Sequence, residues 1–205
     1  MRIKCLKDIL YWAMLVIIVL QALLFLVSWL INAAMPESQV RSLLGSEGIR
    51  WFFGSFVDNV ATPPLVWMLV GAVAYGAVRE SGIVGALRLK SEDRKYRQTF
   101  ALRIVALLSA LFVAVMVFLT LMPRAALLSA TGQLFPSSFS KSIVPVVAFC
   151  ISVDAVAFGM LAGTLRTVDD IVDALSKGIA MAAPLILFYI LAAELFFSCL
   201  YVFHL

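Results

Sequence analysis

Two carboxylic acids stand where ionised groups are costly. Asp154 lies in the middle of the apolar run Ile143 to Leu165, and Glu194 lies deep in the run Ile179 to Phe203; neither run holds another charged residue. At the centre of a bilayer an ionised Asp costs roughly 2.5–3.5 kcal/mol on insertion scales, so an acid retained there is a candidate for proton, cation or substrate binding. Cys150 and Phe158 flank Asp154 at one helical turn, and Ser198 follows Glu194 by four residues. The pattern allows a proton shared between the two acids, a hydrogen bond from Glu194 to Ser198, or a neutral contact between helices with no site at all.

Little else in the chain can do chemistry. The one histidine, His204, is at the C-terminal end, so Ser/His/Asp or Cys/His catalysis and histidine-based metal binding lack raw material. Cys5, Cys150 and Cys199 are far apart, and none has a partner at metal-ligand spacing. The residues therefore point to no enzyme, no metal and no cofactor.

The elements that must position the two acids are membrane helices. Hydrophobic residues make up 63% of the chain and charged ones 14%, and the mean hydropathy is +1.05. A soluble fold of this length could not bury so much apolar surface. The expected class is all-α: one polytopic membrane domain over residues 1–205, with about five transmembrane helices plus interfacial or re-entrant helices.

Arg2, Lys4 and Lys7 precede the first span, Ile9 to Ala34, which is too long for a cleaved signal peptide. Gln21 in its middle fits a hydrogen bond to another helix. The loop Pro36 to Ala61 offers Ser38 as a cap and a second helix from Ser46-Glu47, with Ile49, Phe52, Phe53 and Phe56 on one side and Asp58 and Asn59 capping its end. The second span, Pro64 to Val78, is about 15 residues against the ~20 a straight crossing needs. With Thr62, Pro63 and Pro64 at its head and Gly71 and Gly76 inside, it has the make-up of a broken helix; the plainer alternative is an ordinary span continuing past Arg79. Arg79 and Glu80 end it in water or in an ion pair.

Further on come a charged connection, Leu87 to Arg103, and a third span, Phe100 to Met122. A loop from Pro123 to Ser142, with Pro136, Ser137 and Ser138 as turn signals, leads to the fourth span, Ile143 to Leu165. The polar segment Arg166 to Lys177 has Thr167 as N-cap and Asp169-Asp170 in its first turn, before the fifth span Ile179 to Phe203. Arg2, Lys4, Lys7, Arg79, Arg88, Lys90, Arg94, Lys95, Arg97, Arg103, Arg166 and Lys177 fall on one side of this topology, against Arg41, Arg50, Arg124 and Lys141 on the other. The bias puts the N-terminus in the cytoplasm and the C-terminus outside. The net charge of +4 is thereby topological and implies no nucleic-acid partner.

Leu43-Leu44, Ser46 to Trp51, Asn59, Pro63-Pro64-Leu65 and Glu80-Ser81-Gly82 resemble the N-terminal region of the p-aminobenzoyl-glutamate transporter (AbgT) family. Thr131 to Phe139, Val144-Pro145, Ala162 to Leu165, Asp169-Asp170 and Ala174 to Lys177 resemble a later block of that family, and Ala192-Ala193-Glu194 sits where it commonly has A-A-Q. Residues 1–88 and 89–205 thus match two family blocks. The resemblance implies a bacterial inner-membrane protein of the transporter type. The hairpins that carry the family's substrate and sodium contacts have no counterpart here, so none of the family's site residues carries over.

The expected function is a transporter-family scaffold or partner subunit, held among lipid, copies of itself or another membrane protein. The alternative is an autonomous oligomeric secondary transporter of p-aminobenzoyl-glutamate-like or other small aromatic or acidic solutes, with Asp154 and Glu194 binding substrate or ion.

Overall fold

A computed structural model of the chain describes residues 2–35, 37, 39–90, 94–121 and 138–204, and every regular element in them is helical. The helices are α1 (Arg2–Ala34), α2 (Ser46–Val60), α3 (Pro63–Ser81), α4 (Ile83–Arg88), α5 (Tyr96–Leu121), α6 (Ser138–Ala162) and α7 (Val168–Phe203). Four of them are long and apolar enough to cross a membrane, and a fifth crossing results if α2 and α3 count as one bent span. The all-α polytopic class and the span number agree with the sequence. Ser38 and residues 122–137, with the turn signals Pro136 and Ser137, lie outside the described residues. Ser138, expected in a turn, is the first residue of α6.

The chain divides into two compact units, residues 1–66 with 183–205 and residues 67–182. In the first, α1 turns its apolar side chains outward: Leu15, Ile18, Leu26 and Leu30 are exposed, as lipid contact requires. Its inner face carries Ser28, whose hydroxyl donates to the Phe25 carbonyl at 3.0 Å and accepts the Leu43 N–H at 3.2 Å. That clamps the loop before α2 against α1. The Trp51 ring then stacks on Tyr201 of α7 with centroids 4.3 Å apart, and Phe25 meets Phe52 edge-on at 5.1 Å.

Small residues do the corresponding work in the second unit. Ala72 and Gly76 of α3 lie against Ala174 and Gly178 of α7, so close that a Cβ on Gly178 would stand 2.0 Å from the Ala72 carbonyl oxygen. Such close approach replaces a hydrophobic driving force, which lipid does not supply between helices. Phe158 of α6 is buried among Ala86, Ala101 and Val105. Gly163 closes α6 at φ +83°, a left-handed turn that glycine adopts without steric cost; its N–H and those of Thr164 and Leu165 all reach the Gly159 carbonyl.

Two boundaries depart from expectation. The polar segment from Val168 to Lys177 is no separate element but the first turns of the 36-residue α7. At 1.5 Å per residue that helix is about 54 Å long, so its polar start extends past a hydrocarbon core of about 30 Å. Thr167 does cap it: Thr167 Oγ1 accepts the Asp170 N–H at 3.1 Å, and Asp170 Oδ2 accepts the Thr167 N–H at 2.9 Å, a reciprocal cap. Lastly, α2 runs through Asp58 and Asn59 to Val60, with Ala61 as its C-cap, so neither residue caps it.

Candidate functional site

Asp154 sits on α6 facing α5, where Ser109 donates its hydroxyl to Asp154 Oδ2 at 2.5 Å. The other carboxyl oxygen, Oδ1, is buried without a hydrogen-bond partner. Together with Phe112, Met116, Val147 and Cys150 the two residues line a groove of about 390 Å³ between α5 and α6. A second cavity of the same unit, about 520 Å³, is walled almost wholly by apolar side chains such as Val70, Val153, Val156, Ile171 and Leu175. Among the described residues no group of acidic, histidine or cysteine side chains converges as a metal site would need.

Glu194 belongs to the other unit and is far better enclosed. Only 6% of it is exposed, as is the case for Asn59 on α2. The Asn59 side-chain amide lies beside the carboxyl group closely enough to interact with it, yet neither Glu194 oxygen nor Asn59 Nδ2 completes a hydrogen bond of normal geometry. One turn further along α7, fully buried Ser198 accepts the Gln21 side-chain N–H at 2.9 Å, so the expected interhelical bond of Gln21 is present. Gln21 Oε1 is buried and unpartnered in turn. Three helices thus contribute Gln21, Asn59, Glu194 and Ser198 to one polar interior.

The residues at the head of α3 serve a junction. Pro63 and Pro64 are its first two positions, where a missing N–H costs nothing because that donor has no intrahelical partner. Thr62 Oγ1 makes a side-chain contact with the Tyr189 hydroxyl of α7, and the helices on either side of the break differ in direction by 47°. Gly71 and Gly76 do not interrupt α3. A Cβ on Gly71 would meet nothing within 4 Å, whereas one on Gly76 would stand 2.4 Å from the Ala174 carbonyl oxygen. Glu80 pairs with Lys177 at 2.9 Å.

Sequence reasoning missed Asn59 as a member of the Glu194 interior and Ser109 as the partner of Asp154. A polar residue at the end of an amphipathic helix reads as a cap, and only the fold turns it inward. Ser109 did carry a signal, as one of two hydroxyl residues, with Thr120, in the uncharged part of the third span after Arg103.

Comparison with known proteins adds family and fold. The model of the AbgT putative transporter family matches residues 88–201, more than half of the chain. The solved Alcanivorax borkumensis YdaH transporter superposes with a TM-score of 0.74 at 14% sequence identity, covering 94% of this chain and 71% of that one. No curated protein matches it.

Proposed function

The chain belongs to the AbgT putative transporter family, and on that premise we propose that it works as a frame for transport: a scaffold or partner subunit in the membrane, not a self-sufficient carrier. The observation that supports this most is the placement of the polar groups at membrane depth. Gln21 meets Ser198, Asn59 meets Glu194, and Ser109 meets Asp154. They join helices within each unit, while the 520 Å³ cavity within residues 67–182 is apolar. A carrier working by alternating access needs a polar midplane site lined by discontinuous helices. Between α4 and α5, moreover, only residues 89–95 intervene, too few for a membrane hairpin.

In this reading the N-terminus lies in the cytoplasm of a bacterial cell and the C-terminus outside. The outward apolar faces of α1 and α5 meet lipid, further copies of the chain or another membrane protein. A second reading, an autonomous transporter of p-aminobenzoyl-glutamate-like or other small aromatic or acidic solutes, draws support from the carboxyl of Asp154 in the α5–α6 groove. Purified protein in liposomes decides between them. No saturable uptake of labelled p-aminobenzoyl-glutamate under a sodium or proton gradient is expected. Uptake abolished by Asp154→Ala would establish the second reading.

A further inference from the structure

The interior around Glu194 has an imbalance that one small ligand corrects. Its buried, unpartnered atoms are three acceptors, Glu194 Oε1, Glu194 Oε2 and Gln21 Oε1, against the single donor group Asn59 Nδ2. Gln21 is fixed by its bond to Ser198, which stands four residues, one helical turn, from Glu194. Buried acceptors without donors are costly, and an uncompensated carboxylate more so.

Among the described residues no cationic side chain is ion-paired or hydrogen-bonded to Glu194, and Arg50 of α2 is exposed. Among the described residues of this unit, α1 has no titratable side chain from Trp12 to Ala34. On α2 the neighbour of Asn59 is Asp58, which is exposed and itself acidic. On α7 the titratable side chains near Glu194 are Tyr189, engaged with Thr62, the free thiol of Cys199 and Tyr201. Arg41 lies over the ring of Tyr201, 5.4 Å from its centroid, seven residues beyond Glu194.

We propose that Gln21, Asn59, Glu194 and Ser198 form a site for a single proton, held on the Glu194 carboxyl group. The proton cancels the charge and supplies the missing donor. The Glu194 hydroxyl can then be given to Gln21 Oε1, while the carbonyl oxygen of the acid accepts from Asn59 Nδ2. Both helices that meet α7 here, α1 and α2, are thereby held to it, and loss of the proton loosens α2, the shorter of the two. An alkali cation would fit less well, because the Asn59 N–H groups would face it. The site stands apart from the question of scaffold or carrier, since it needs neither a solute nor a second subunit.

Infrared difference spectroscopy on the whole protein in lipid, in an Asp154→Asn background, tests it directly. A protonated-carboxyl band present at neutral pH and absent in the added Glu194→Gln variant is the expected result. With that proton held in the folded protein and released on unfolding, stability falls as pH rises. The thermal midpoint should therefore fall as pH rises in the parent and fall less in E194Q. A band untouched by E194Q would overturn the proposal. So would a midpoint that follows sodium concentration at constant pH in the parent but not in E194Q, which would mark an alkali-cation site. Should E194Q not accumulate, Asn59→Ala carries the test. Without the amide that donates to the carbonyl oxygen of the acid, the carboxyl band must move to higher frequency; an unmoved band again overturns it.

Discussion

The two units of this protein solve the same problem by opposite means. In residues 67–182, α3 and α7 approach until backbone touches backbone, and hydroxyls such as Thr164 cap carbonyls, donating to Ser81 O at 2.8 Å. Among the described residues there, the one buried side-chain polar atom without a hydrogen bond is an oxygen of Asp154. In residues 1–66 and 183–205 amide, carboxyl and hydroxyl side chains meet between the helices, beside aromatic contacts. Contact through small residues is rigid and intolerant of added volume, whereas contact through polar side chains is adjustable and sensitive to protonation. The first kind suits a fixed frame and the second a joint.

The sharpest way to break that contrast is to add one methyl group. Gly178→Ala would place a Cβ 2.0 Å from the Ala72 carbonyl oxygen and 2.9 Å from Gly76 Cα. Backbone, unlike a side-chain tip, cannot step aside, so the helices must separate. A loss of about 3 kcal/mol or more is expected, the upper end for overpacking, read as a collapse of the monodisperse peak after mild heating in detergent. Gly71→Ala on the same helix meets nothing within 4 Å and should leave that peak intact. If both variants behave alike, close approach is not what holds the second unit.

Removing one hydroxyl from each unit sharpens the comparison at a smaller scale. Ser198→Ala takes the acceptor from Gln21 Nε2, and Ser109→Ala takes the donor from Asp154. Interhelical hydrogen bonds average about 0.6 kcal/mol in membranes, with a maximum near 1.7. S198A should lie near the average, since its partner is a neutral amide. S109A should lie nearer the maximum, because it strands a carboxyl group already short of one partner. Chemical unfolding in mixed micelles ranks the two; the reverse order would mean that Asp154 is satisfied by something other than Ser109.

How much of this was open to a reader of the sequence depends on range. Span number, the head of α3 at Pro63 and the Thr167 cap follow from local composition and were legible. So was Gln21, because an amide in the middle of an apolar helix has few options other than another helix. Asn59 was not, since its partner lies 135 residues away and its local setting at a helix end suggests a cap. The glycine contact was half legible: small residues mark close packing, but Gly71, Gly76, Gly85 and Gly178 look alike in sequence, and only Gly76 and Gly178 meet a neighbouring helix. The continuity of α7 was hidden because a polar start and an apolar remainder read as two elements.

The smallest expected effect concerns Lys177 and Glu80, an ion pair at the end of the glycine contact. Its N···O distance is 2.9 Å, but the Lys177 side chain is 58% exposed and that of Glu80 30%. Water screens such a pair and the long lysine chain loses rotamer freedom by holding it, so exposed pairs contribute about 0.2–1 kcal/mol and often nothing measurable. Lys177→Ala should therefore lower stability by no more than about 0.5 kcal/mol, and that deficit should shrink further at high salt. Thermal midpoints of the parent and K177A at low and high ionic strength check this. A large, salt-insensitive loss would mean that the pair, and not Gly76 against Gly178, sets the contact of α3 with α7. The second unit would then rest on side chains, as the first does.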